Sequence, residues 1–116
     1  MEPLETQEQF EATIWRPEKP TNTLYFVYFT ANWCSACKRL NLEDIVRTNA
    51  HNPLVKYYKC DVDENDYTGP FCGVKSLPTF VAFHAGTVVD KLANSNTDVV
   101  ISWLADVQNM LKVKKN

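Results

Sequence analysis

Apolar residues run unbroken from Leu24 to Phe29 as Leu-Tyr-Phe-Val-Tyr-Phe. A run without a polar face, rich in aromatic and β-branched residues, reads as a strand buried on both sides. Upstream, Thr6-Gln7-Glu8-Gln9 has the form of a capping box and predicts a short helix to about Ile14. Arg16-Pro17-Glu18-Lys19-Pro20-Thr21-Asn22 ends it with two prolines. Thr30 to Ala36 reads as a loop. From Cys37 to about Ala50, apolar Leu40, Ile45 and Val46 alternate with Lys38, Arg39, Glu43, Asp44 and Arg47, which predicts an amphipathic helix. Leu54 to Cys60 reads as a second strand, followed by the polar loop Asp61 to Asn65. Asp66 to Cys72 is a short helix or turn, weakened by Gly69 and Pro70. Thr79 to His84 and Thr87 to Leu92 form a hairpin across His84-Ala85-Gly86-Thr87. Asn96 or Thr97 caps a last helix, on which Val100, Leu104, Val107 and Leu111 share one face. The order αβαβα then ββα predicts an α/β fold, a mixed central sheet with helices on both faces.

Composition narrows the picture. A length of 116 residues fits a single domain spanning 1–116, and 45% apolar residues can build a real core. Such a domain folds without disulfide staples, so its four cysteines need another explanation. The acidic stretch Met1 to Glu11 holds no apolar signal region, and the Leu24–Phe29 run is too short to span a membrane. No membrane association is expected. The expected setting is a reducing intracellular compartment, cytosol or mitochondrial matrix, with a removed organelle presequence left open. A net charge of -2 argues against nucleic acid as a partner. Lys112, Lys114 and Lys115 read as favourable charge at a helix C-terminus.

The chemistry concentrates at Trp33-Cys34-Ser35-Ala36-Cys37-Lys38, between the buried strand and the predicted helix. Two intervening residues let the thiols meet across one turn and form or break a disulfide. Free N–H groups at a helix start favour thiolate over thiol, and Lys38 adds positive charge. Cys34 is therefore expected to be an exposed nucleophile with a lowered pKa, and Cys37 a more buried resolving thiol. Zinc sites share the Cys-x-x-Cys spacing, but they usually need two such pairs. Cys60 and Cys72 are single cysteines at spacings unlike a zinc ribbon. No metal and no bound cofactor are expected.

With Phe29-Thr30-Ala31-Asn32-Trp33-Cys34, Cys37-Lys38, Asp61-Val62-Asp63, Leu77-Pro78-Thr79-Phe80 and Gly86 in this order and spacing, the chain resembles the thioredoxin family from about Thr6 to Leu111. The resemblance implies a thioredoxin fold with a cis Leu77–Pro78 bond facing the dithiol. It implies a substrate groove rimmed by Trp33, Ala36, Gly73, Leu77 and Pro78. It further implies a monomeric thiol–disulfide oxidoreductase acting on protein disulfides, with a thiol-dependent reductase as electron donor.

Several positions depart from the family pattern. Ser35-Ala36 replaces the usual Gly-Pro between the cysteines, a dipeptide that tunes the redox potential. Tyr28 stands where a buried aspartate commonly serves the resolving cysteine, and a phenol of pKa about 10 is a poor base at neutrality. Lys59 matches a lysine that pairs with that aspartate, and without it would extend to solvent. Thr30 stands where an aromatic is usual, and Ala93 replaces a glycine in the loop that borders the groove. These changes point to weak turnover. They raise a rival reading, a chaperone-like module that holds unfolded clients under redox control. Cys60 reads as an inert core thiol, and Cys72 as a passive, exposed thiol near the proline loop. His51 and His84 lie in loop-like contexts with no paired ligand.

Overall fold

The computed structural model describes residues 1–19 and 21–115, with side chains through Leu111. Pro20 and the side chains of Lys112, Lys114 and Lys115 lie outside the described residues. The elements are β1 (Glu2–Pro3), α1 (Gln7–Phe10) continued by a π-helical turn (Glu11–Trp15), β2 (Leu24–Thr30), a 3-10 turn (Cys37–Arg39), α2 (Leu42–Arg47), β3 (Val55–Asp61), α3 (Thr68–Phe71), β4 (Thr79–His84), β5 (Thr87–Ala93) and α4 (Thr97–Lys115).

All seven residues of β2 are buried because it lies at the centre of a five-stranded sheet ordered β1-β3-β2-β4-β5. β2 is parallel to β3 and antiparallel to β4, so the sheet is mixed as expected. Alternate side chains of β2 then enter two cores. Leu24, Phe26 and Tyr28 face Ile45 of α2 and Val100, Trp103, Leu104 and Val107 of α4. Tyr25, Val27 and Phe29 face Leu4, Phe10 and Ile14 on the other side.

The capping box forms with a shift. Thr6 Oγ1 accepts the Gln9 N–H at 3.0 Å, but Gln9 reaches back to the Glu5 N–H at 2.7 Å rather than to that of Thr6. The hairpin turn places Ala85 at φ 52° and Gly86 at φ 72°, the two left-handed positions of a two-residue connection. A Cβ at Gly86 would come within 3.0 Å of the Trp15 carbonyl, which gives glycine a second reason there. Asn96 caps α4 by accepting the Val99 N–H.

Two expectations need correction. β1 is an added edge strand, pairing Glu2 with Tyr58 and Pro3 with Lys59. Two residues are too short to show a period, and proline fits an edge because it has no N–H to leave unpaired. The helix expected from Cys37 to Ala50 is broken. Leu40 is extended (φ -76°, ψ 137°) and turns its side chain into the core. Asn41 then restarts the chain as α2, its Oδ1 accepting the Asp44 N–H at 3.1 Å. The Asn41 N–H donates to Thr97 Oγ1 at 2.9 Å, which ties the start of α2 to the start of α4.

Candidate active site

Because β4 runs antiparallel to β2, with Thr79 opposite Phe29, the Ser76-Leu77-Pro78 segment arrives beside the loop that leaves β2. That loop carries Cys34, and the 3-10 turn after it carries Cys37. The two are joined as a disulfide with Cα atoms 5.4 Å apart. The Cys37 N–H donates to Cys34 Sγ at 3.1 Å. Leu77 and Ala36, both half-buried, pack against the cluster that holds the two cysteines. The Leu77–Pro78 bond is cis, Pro78 is buried, and Thr79 Oγ1 donates to the Ser76 carbonyl at 2.6 Å to hold the turn.

Exposure of the pair differs from expectation. Cys34 is 5% exposed and Cys37 6%, so neither is the more buried. The reason is local. Cys34 closes a turn, its N–H donating to the Ala31 carbonyl at 3.1 Å, and with its link to Cys37 it lies in the same core cluster as Ala31 and Cys37. The residue presented to solvent is Trp33, 66% exposed. Its indole Nε1 donates to Asp63 Oδ2 at 2.9 Å, while the Asp63 N–H donates to Asp61 Oδ1 at 2.9 Å. The loop after β3 therefore supports Trp33. Asp63 stood in the sequence as a family landmark, but no local pattern paired it with an indole thirty residues away.

Tyr28 is 2% exposed, in the same cluster as the dithiol, and stacks on Phe80 with ring centroids 4.9 Å apart. Burial pushes its phenol above the ordinary value, and a hydrogen bond with Thr30 partly opposes this. Lys59 lies opposite Tyr28 in register and is exposed, as expected without an acid to reach for. Lys38 and Ser35 are also exposed. Gly73 is exposed at φ 74° and lies beside Lys91, whose Nζ donates to the Cys72 carbonyl at 3.3 Å.

Cys60 and Cys72 belong to the opposite core, so the four cysteines do not converge. Cys72, expected to be exposed, is 7% exposed, because it caps α3 with its side chain turned inward against the sheet. Both thiols are pushed up to about 12, chiefly by burial. His84 Nε2 lies 3.1 Å from Asn22 Oδ1, and His51 is exposed.

A mixed sheet that sets a Cys-x-x-Cys pair beside a cis-proline turn defines a class of redox protein, and comparison with known proteins agrees. The thioredoxin family profile matches residues 3–106. Thioredoxin H4 of Arabidopsis thaliana is 35% identical over 82 residues, covering 69% of this chain and 67% of that protein. Thioredoxin-3, mitochondrial, of Saccharomyces cerevisiae is 30% identical over 86 residues, covering 74% and 67%. The X-ray structure of Fasciola hepatica thioredoxin superposes with a TM-score of 0.78 at 26% identity, covering 91% of this chain and 98% of that one. The chain belongs to the thioredoxin family. It is a thiol–disulfide oxidoreductase whose active-site pair is Cys34–Cys37.

Proposed function

We propose that the chain works as one thioredoxin-like domain that reduces protein disulfides, with Cys34 attacking and Cys37 resolving. The observation that carries this division of labour is the Cys37 N–H aimed at Cys34 Sγ. A donor fixed on one sulfur favours negative charge on that sulfur. Cys34 thiolate attacks one sulfur of a substrate disulfide and expels the other as thiolate, which takes up a proton. Cys37, having lost its proton, then attacks Cys34 Sγ and releases the second substrate thiol. The Cys34–Cys37 disulfide re-forms, and two electrons have passed to the substrate.

Trp33 gives an apolar platform for the substrate chain, with Ala36, Leu77, Pro78 and Gly73 as the remaining rim. Lys38 adds positive charge beside the pair. A thiol-dependent reductase returns the two electrons, and the protein acts as a monomer. The working compartment is a reducing one, cytosol or mitochondrial matrix. A yeast relative named mitochondrial supports this, as does a dithiol that must be kept reduced to act.

The test is insulin reduction with dithiothreitol, compared with Cys34→Ser. Reduction by the natural chain and none above background by the variant is the expected result. If the chain instead suppresses aggregation of a heat-denatured client without accelerating insulin reduction, the protein holds clients and the reductase reading falls.

A further inference from the structure

We propose that Cys37 has no proton acceptor inside the protein, so the mixed disulfide at Cys34 persists at neutral pH and is released faster as the pH rises. The inference rests on the assignment of Cys34 and Cys37 above and concerns the second step alone. In that step Cys37 must become a thiolate before its sulfur bonds to Cys34 Sγ and the substrate sulfur leaves. A buried thiol gives up its proton reluctantly, and an adjacent base would lower that barrier.

Around the pair such a base is missing. Among the described residues, no carboxylate and no imidazole is buried. The polar groups on this face of β2 are the Tyr28 phenol and the Thr30 hydroxyl. Neither is a base near pH 7, and burial makes the phenol still less willing to lose its own proton. β4 contributes Phe80, which covers Tyr28, and α4 contributes Val100, Leu104 and Val107 with the indole of Trp103. That indole donates to Asp90 Oδ2 of β5 at 2.9 Å, which engages the Asp90 carboxylate. On α2, Glu43 is exposed and Asp44 is paired with Arg47. Lys38 and Arg39 flank Cys37 with positive charge and are exposed. β3 presents Tyr57, Lys59 and Asp61. Tyr57 receives a hydrogen bond from Asn49, and Lys59 is exposed. The Asp63 carboxylate is engaged by the Trp33 indole at 2.9 Å, which leaves Asp61, opposite Thr30 in register, as the other carboxylate on this side. Its Oδ1 is occupied by the Asp63 N–H in the turn that supports Trp33. The proton of Cys37 is left to water.

The experiment mixes reduced protein with a peptide disulfide in the absence of other thiols, quenches in acid, and follows the mixed disulfide at Cys34 by mass spectrometry between pH 6.5 and 8.5. The decay rate of the natural chain should rise about tenfold per pH unit while Cys37 is mainly protonated. Tyr28→Asp places a carboxylate in the cluster. It should speed decay at pH 7 by about tenfold or more and flatten the pH dependence. Tyr28→Asn opens the same space without a base and should keep the slope. A pH-independent decay in the natural chain overturns the inference, and it does so even if Tyr28→Asp fails to fold. Slowing of decay in Asp61→Asn also overturns it, by naming Asp61 as the internal base. Failure to form any mixed disulfide at Cys34 overturns the underlying reductase reading as well. Rapid formation with fast, pH-independent decay leaves that reading standing.

Discussion

Two pairs of cysteines lie on opposite faces of one sheet. Cys34 and Cys37 sit in the core beneath α2 and α4, while Cys60 and Cys72 sit in the core beneath α1 and α3. Exposure does not separate them, since all four are buried. What separates them is the backbone around each sulfur. Cys34 and Cys37 share one turn, are joined, and have an N–H aimed at one sulfur. Cys60 is held by a strand and Cys72 by the end of a helix, and the contact to Cys60 Sγ is a distant 3.9 Å from the Asn65 carbonyl. Burial without a compensating donor pushes both thiols up to about 12, which keeps them protonated. Reactivity therefore follows local donors and chain geometry more than access to solvent.

The sharpest test of this contrast is mutational. Cys34→Ser should reduce insulin reduction to the uncatalysed background. Cys60→Ala with Cys72→Ala should keep the rate within about twofold, the change expected away from functional groups. A large loss of activity in the double variant would dissolve the distinction between the pairs.

Alkylation should grade the four thiols. At pH 7 reduced protein treated with limiting iodoacetamide should be modified first at Cys34. A thiol pushed up to about 12 is only about one part in 10⁵ thiolate at that pH, so Cys60 and Cys72 should react only on unfolding. Peptide mapping that finds Cys60 or Cys37 labelled first would reverse the nucleophile assignment.

The second pair should announce itself in alkaline stability. Its folded-state values lie above those of unfolded thiols, so its contribution is complete below about pH 8.5 and is lost as pH rises toward about 12. Each thiol can remove up to about 1.4 kcal/mol per pH unit across that window. The urea midpoint should fall from pH 9 to 11, and fall less steeply in Cys60→Ala with Cys72→Ala. Equal slopes would mean that these thiols are not protonated by burial.

The smallest effect concerns what holds the first pair in place. Asn41→Ala removes the cap of α2 just beyond the dithiol turn and should cost about 1 kcal/mol of stability by urea titration. It should change insulin reduction little, because the turn's own bonds remain. A collapse of activity at unchanged stability would show that α2 positions the pair directly.

Much of this arrangement was legible in the chain. The unbroken run at Leu24–Phe29 marked the central strand, because burial on both faces removes the alternation that an exposed strand would show. The Cys34–Cys37 spacing marked the site, and His84-Ala85-Gly86-Thr87 marked the hairpin. The helix boundary at Cys37 was misread for a physical reason. Helical periodicity continues through Leu40 and Ile45, and only the core's demand for the Leu40 side chain breaks the backbone there. Asn41 followed by Leu42, Glu43 and Asp44 was the available signal, a cap with acids in the first turn.

By itself the sequence determined the features whose causes lie within a few residues. These are the dithiol turn, the buried central strand, the I′-like hairpin with Gly86, and the capped last helix. The tertiary structure alone decided the pairing of Glu2–Pro3 with β3, the engagement of Trp33 by Asp63, and the burial of Cys34 and Cys72. Each of these depends on which distant segment is brought alongside. Such contacts are fixed by sheet order and by the competition of side chains for two finite cores, which no local pattern records.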